Sequence, residues 1–241
     1  MDLKKLNSIT KYPSIPTYHK MGLKGKLTEE TEELEGRLFA SEKIDGTNAR
    51  IIVLDDRPHY YIGSREELLY AQHDELYNPN NGIVDAVRGI AEYIVEKTGG
   101  IVIFGEAYGH KIGSNAKQYS VDGRVGFRVF DIAKISEDKL DCDPAIIAAW
   151  RDGGGQEFFN KDDLKDRCDR LRLDMVPDLE LKSDPPKGLK ETLEFMEDMI
   201  SDSKAILDLG AGGQPEGIVI RNFNRSKIFK LRFEDYKRAL K

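Results

Sequence analysis

Lys43 stands two residues before Asp45-Gly46 and five before Asn48, in the stretch SEKIDGTNAR at residues 41–50. A lysine that only keeps a surface hydrated needs no such company, whereas a nucleophilic lysine does. An attacking amine must be unprotonated, yet free lysine has a pKa near ~10.4. Neighbouring cations and partial desolvation lower such a value. Lys230 and Arg232, two apart and so on one face of a strand, are placed to supply that field and to hold phosphate oxygens. Arginine does not shed its proton, so Arg232 suits binding only. Glu106 and Glu216 each end an apolar β run beside a glycine, where a carboxylate accepts hydroxyl protons or holds a hydrated Mg²⁺. Each residue also has a plainer reading: a hairpin lysine, an edge-strand charge pair, a solvated strand-end acid. A K-x-D-G tetrapeptide arises by chance in about one chain in twenty of this length, so Lys43 alone decides nothing.

The elements that must position these residues are legible. RLFASEKIDGTNARIIVL predicts two β-segments around a turn at Asp45-Gly46. HYYIGS (59–64), GIVIFGEAYG (100–109) and RVGFRVFDI (124–132) predict further strands. Ile83, Val87, Ile90, Ala91 and Ile94 recur at helical spacing and stop at Gly99-Gly100. Residues 141–210 are acidic, contain Pro185-Pro186, and predict a helix marked by Leu189, Leu193, Met196 and Ile200. EGIVIRNF and KIFKLRF resume the strand pattern, and EDYKRALK predicts a terminal helix. Strands before, between and after helices predict an α+β fold with antiparallel sheets. The glycine clusters DGGGQ (152–156) and GAGGQ (210–214) lack the lysine and hydroxyl of a phosphate loop and read as turns.

Composition narrows the chemistry. The 241 residues are 39% hydrophobic and 33% charged, enough for a substantial core. No stretch approaches the length of a membrane span, and the N-terminus lacks the apolar run of a secretory signal, so a cytoplasmic protein is expected. Cys142 and Cys168 cannot make a disulfide framework, and His19, His59, His73 and His110 are scattered. Any metal is therefore expected to be a hard, oxygen-bound ion. The net charge of −6 hides basic ends: residues 221–241 carry eight Lys/Arg against Glu234 and Asp235, and residues 1–26 carry six lysines against Asp2. Basic ends on an acidic body can form a phosphate-binding face, although on composition alone ordinary terminal solubility is the better explanation.

Order along the chain adds what single residues do not. Lys43 is followed by Ser64-Arg65, then FGEAYG (104–109), FRVFDI (127–132), PEGIVIR (215–221) and FKLR (229–232). This series resembles the six-part signature of the covalent nucleotidyltransferases, which comprise RNA ligases, DNA ligases and mRNA capping enzymes. Asn48, FGEAYG, and a chain that stops nine residues after Arg232 resemble the RNA ligase 2-like branch. Asp45 instead matches DNA ligases.

The resemblance implies a nucleotidyltransferase fold with ATP in a cleft between antiparallel sheets flanked by helices. A single domain over 1–241 is expected, with an acidic helical insertion at about 141–210 and no OB-fold. Lys43 is expected to carry AMP, using ATP and Mg²⁺ or Mn²⁺, before AMP passes to an RNA 5′-phosphate and a 3′-OH seals the strand. The resemblance places Lys230 on the α-phosphate and Arg232 at the second basic position, where lysine is usual. It places Glu106 on the ribose 2′-OH, Glu216 in the metal-dependent chemistry, Phe127 on adenine, and Arg65 at the ribose and RNA end. Asp45 joins Lys43 and Lys230 as a catalytic candidate, Asn48 joins the nucleotide-binding set, and Glu42 has either the adenine edge or a packing role. RNA is the expected partner, with no membrane, as monomer or homodimer. A minimal DNA ligase and a non-catalytic nucleotide- or RNA-binding module are the rival readings.

Overall fold

Continuous apolar runs become central strands here, and alternating runs become strands with one face in a core. The computed structural model describes residues 1–55, 59–79, 81–113 and 116–241. Its helices are α1 (Leu3–Ile9), α2 (Ile83–Ile94), α3 (Pro144–Asp152), α4 (Lys161–Leu171), α5 (Leu189–Met199) and α6 (Phe233–Ala239). Its strands begin with β1 (His19–Met21), β2 (Leu27–Thr31), β3 (Leu38–Lys43), β4 (Thr47–Val53), β5 (Tyr60–Ser64) and β6 (Leu68–Ala71). They continue with β7 (Asp74–Glu75), β8 (Ile101–Gly109), β9 (Val125–Lys134), β10 (Asp178–Leu179), β11 (Gly217–Asn222) and β12 (Ile228–Arg232). All pairings between these strands are antiparallel, as the α+β expectation requires.

Two compact units each have their own core. The first comprises residues 1–13, 46–116 and 125–175 and holds a sheet of order β7-β6-β5-β4-β8-β9. α2 lays Ile83, Val87, Ala91 and Ile94 against one face of this sheet, and α4 adds Leu164, Cys168 and Leu171. On the other face, the buried Arg50 of β4 donates from Nη1 to the Asn7 carbonyl oxygen of α1 (3.1 Å) and from Nη2 to Asn7 Oδ1. Burial pushes that guanidinium down to about 9. Tyr12 packs among Phe104, Phe130 and Phe158 and donates its hydroxyl to Asp131 at 2.6 Å.

The second unit comprises residues 14–45, 117–124 and 176–241. It holds the β1–β2 hairpin and a sheet of order β10-β3-β11-β12. Ala40, Ile218, Ile220, Phe229 and Leu231 face a core shared with Leu189 and Met196 of α5 and with Phe233 and Tyr236 of α6. The intervening residues therefore point to the opposite face of the sheet.

One local expectation is corrected. The segments flanking Asp45-Gly46 are both strands, but they do not pair with each other: β3 pairs with β10 and β11, and β4 with β5 and β8. The turn passes the chain from one sheet to another instead of closing a hairpin. Gly46 is required because β8 lies against it: a Cβ there would sit 2.9 Å from Tyr108 Cβ and 3.0 Å from Glu106 Cγ. The acidic stretch is shared out, with residues through Met175 in the first unit and those from Val176 in the second.

Candidate active site

In the second unit, strand register assembles the cations. Gly217 pairs with Lys43 on one side and with Arg232 on the other, so these side chains share one rung and one face. Lys230, paired with Val219, stands on the same face one pleat further along. A Cβ on Gly217 would lie 2.9 Å from both Arg232 Cα and the Leu231 carbonyl carbon, so only glycine permits this approach of β12. The preceding residue, Glu216, meets both cations. Lys43 Nζ donates to its Oε2, and Arg232 Nη1 lies 3.7 Å from its Oε1. The side chains of Lys43 and Glu216 are 24% and 23% exposed, which leaves them within reach of a ligand.

Arg232 is oriented from its own helix side. Its Nε and Nη2 donate to Asp235 Oδ2 and Oδ1 at 2.7 and 2.8 Å, a bidentate pair with a buried carboxylate. That hydrogen bonding holds the Arg232 guanidinium above its ordinary pKa. The Asp45 backbone N–H donates to the Tyr119 hydroxyl at 2.6 Å. Tyr119 is fully buried, and burial raises its pKa, so the turn after Lys43 ends on a fixed neutral post. Glu42 points to the opposite face from Lys43 and is 1% exposed. It accepts the Ser203 hydroxyl and the Lys204 N–H (2.8 Å), so of its two expected roles it has packing partners for the structural one.

In the first unit, Asn48 pairs with Glu106, and Glu106 with Arg128, so the three share a face of the sheet. Asn48 Oδ1 is buried without a hydrogen-bond partner. Such an orphan acceptor costs about 1–3 kcal/mol, which a ligand donor would recover. Arg128 is held by the Tyr108 hydroxyl and the Met175 carbonyl oxygen, each at 2.9 Å. Arg65 is on the exposed β5–β6 turn, its Nε 3.9 Å from Glu66 Oε1, and it follows Ser64, the partner of Ala49. It therefore stands at the same sheet end as Asn48. Phe127 is 8% exposed, pairs with Ala107, and lies over Gly105 within the α2–α4 core, on the face opposite Glu106.

The structure thus groups Lys43, Glu216, Lys230 and Arg232 in one unit, and Asn48 with Glu106 in the other, while Phe127 and Glu42 turn to the reverse faces. Sequence reasoning missed Asp235, Tyr119 and Arg128. Asp235 had a visible signal, an acid three residues after one arginine and three before another. Tyr119 had none, because its contact spans 74 positions.

The sequence profile of the RNA ligase family matches residues 36–232, well over half of the chain. The chain belongs to the RNA ligase family. Solved structures give the fold of this family member independently. An RNA ligase of Naegleria gruberi, a lysine-to-alanine variant with ATP and manganese, superposes with a TM-score of 0.57 at 17% identity over 93% of this chain. A glutamate-to-alanine variant with AMP and manganese gives 0.57 at 17% over 93%, and the protein with pyrophosphate gives 0.55 at 16% over 94%. The family member spans 62–63% of the length of those chains, and at this identity the likeness shows the nucleotidyltransferase fold. No curated protein matches the sequence.

Proposed function

We propose that this RNA ligase family member is an ATP-dependent RNA ligase joining 5′-phosphate and 3′-OH ends through lysyl–AMP and RNA-adenylate intermediates. One observation carries the reading: a ligand-accessible lysine, Lys43, shares a glycine-floored rung with Arg232, has Lys230 on the same face, and rests on Glu216. In the first step Lys43 Nζ gives up a proton and bonds to the α-phosphorus of ATP as the bond to pyrophosphate breaks. Lys230 and Arg232 hold phosphate oxygens while that charge is redistributed. AMP then passes from Lys43 to the RNA 5′-phosphate oxygen, and the 3′-OH displaces AMP to form the phosphodiester.

The donor set fits a hard divalent cation. Glu216 offers a carboxylate that is 23% exposed, and Mg²⁺ or Mn²⁺ commonly takes one or two carboxylates plus waters and substrate phosphates. Bound at Glu216, the cation would offset phosphate charge and that of the carboxylate holding Lys43. Glu106 is proposed to accept the ribose 2′-OH, and the orphan Asn48 Oδ1 to accept a ligand hydroxyl or amine proton. Arg65 is proposed to meet the RNA end. Asp45, Glu42 and Phe127 are proposed to act indirectly: Asp45 fixes the Lys43 turn on Tyr119, Glu42 ties β3 to the 203–204 loop, and Phe127 packs over Gly105 on the reverse face of the strand that carries Glu106. Residues 1–241 are proposed to work as one nucleotidyltransferase domain with 141–210 as its insertion, as a monomer or homodimer in the cytoplasm. No described helix is long and apolar enough to cross a membrane.

The test is labelled ATP with Mg²⁺. A phosphoramidate on Lys43, stable to alkali and labile to acid, is expected, and Lys43→Ala should carry none. Undiminished labelling of that variant sinks the reading. Matched RNA and DNA nicks then define the polynucleotide.

A further inference from the structure

Basic residues from the two ends of the sequence meet on one surface of the second unit. The β1–β2 hairpin carries Lys20, Lys24 and Lys26, all exposed, with no acidic residue between His19 and Leu27. α6 and the residues after it carry Lys237, Arg238 and Lys241, also exposed, with no acidic residue beyond Asp235. The two segments touch. Arg238 Nη2 donates at 2.8 Å to the carbonyl oxygen of Gly25 at the hairpin tip. The same nitrogen donates at 2.9 Å to Asp235 Oδ1, and Asp235 is the carboxylate that orients Arg232. The basic surface and the site arginine therefore share one buried anchor.

Local charge indicates which way a polyanion would run. Lys20 has Glu30 at 3.3 Å, and Glu29, Glu30, Glu32, Glu33 and Glu35 follow along and beyond β2. Phosphates are repelled from that flank and drawn to the tip and to α6. Six like charges gathered from distant sequence can neutralise phosphates, and the condensed counterions that a phosphate backbone then releases drive association.

We propose that the tip of the β1–β2 hairpin and the C-terminal end of α6 form a docking surface for the RNA phosphate backbone. The proposal rests on the RNA ligase reading and deepens it. Leu23, 93% exposed, projects from the same tip, and exposed apolar groups among lysines also suit an anionic membrane surface. Continuity with Arg232 through Asp235 favours RNA: a strand whose 5′-phosphate reaches the site lays its next phosphates on adjoining protein, and this is the adjoining basic surface.

The experiment combines Lys20→Gln, Lys24→Gln and Lys26→Gln in one variant, leaving Arg238 alone because it shares Asp235 with Arg232. Binding of a 5′-phosphorylated single-stranded RNA is followed by fluorescence anisotropy across a salt series. If each lysine neutralises one phosphate, the slope of log affinity against log salt falls in magnitude by about 2 in the variant. Lysyl–AMP formation should keep its rate, which also shows that the variant is folded. An unchanged slope and affinity would overturn the proposal. So would loss of binding to phosphatidylserine vesicles with RNA binding intact, which would make the hairpin a membrane contact. Failure of the ligase reading appears separately, as absence of lysyl–AMP in the unmodified protein.

Discussion

Gly217→Ala probes the proposed site without touching any side chain in it. The added methyl would lie 2.9 Å from Arg232 Cα and from the Leu231 carbonyl carbon, and closer still to the Leu231 carbonyl oxygen. Ordinary contact needs about 3.4 Å or more, so β12 must retreat from β11 by at least about 0.5 Å at the carbons and about 1.5 Å at the oxygen. Leu231 is in the core, so the retreat also disturbs packing, with an overpacking cost of about 1–3 kcal/mol. Arg232 and Lys230 ride on the strand that moves, whereas Lys43 is on β3 at the other side of β11. The variant should therefore separate the phosphate-holding cations from the nucleophile. A misplacement near 1 Å costs about a hundredfold in rate. Single-turnover labelling with radioactive ATP measures the rate, and thermal melting measures the stability. A folded variant with lysyl–AMP formation within twofold of the parent would refute the argument that the glycine sets the spacing of Lys43 and Arg232.

Other expectations follow from individual contacts. Glu106→Ala should lose about 1.5–3 kcal/mol of transition-state binding with ATP and clearly less with 2′-deoxy-ATP; equal losses with both nucleotides would remove the ribose assignment. His19 is buried between Tyr236 and the Lys187 carbonyl oxygen, and desolvation lowers its pKa. A depressed histidine contributes stability above its unfolded pKa that is lost as pH falls from about 6.5 toward the folded value. Urea midpoints should therefore drop from pH 7 to 5, and His19→Gln should flatten that part of the profile. Burial pushes the Cys168 thiol up to about 12, whereas Cys142 is partly exposed. Iodoacetamide at pH 8 should alkylate Cys142 alone, and modification of native Cys168 in mass spectra would contradict its place in the core.

Much of the architecture was legible because the apolar pattern is strong. The run Ile101–Phe104 and the helical spacing of Ile83, Val87, Ala91 and Ile94 specify β8 and α2 without help from distant residues. α1 was equally open to view and was passed over: Asp2 caps it by accepting the N–H groups of Lys4 and Lys5. The pairing of β3 with β11 was hidden, because nothing near Asp45-Gly46 reveals that the chain changes sheets there. The position of Phe127 was hidden by a register shift. Phe104 pairs with Asp131 but Gly105 with Val129, leaving Phe130 as an extra residue. A bulge of this kind reverses the facing of every residue beyond it, so Phe127 enters the core and Arg128 joins Glu106. Asp235 and Tyr119 act through contacts that only the folded chain creates.

The chain crosses between the two units five times, and that bears on how the protein is made. β3, which ends in Lys43, has β10 and β11 as its sheet neighbours, more than 130 positions later in the sequence. During synthesis this strand emerges long before β11 and remains without that neighbour until residues 217–222 have left the ribosome. Long-range pairing of this kind is slow and leaves strand edges open to other chains. A polypeptide released before β11 would retain the lysine but lack Glu216, Lys230 and Arg232 around it. If the proposed site is the active one, such a product should form no lysyl–AMP, and the unpaired edge of β3 is what must be kept from other chains until β11 emerges.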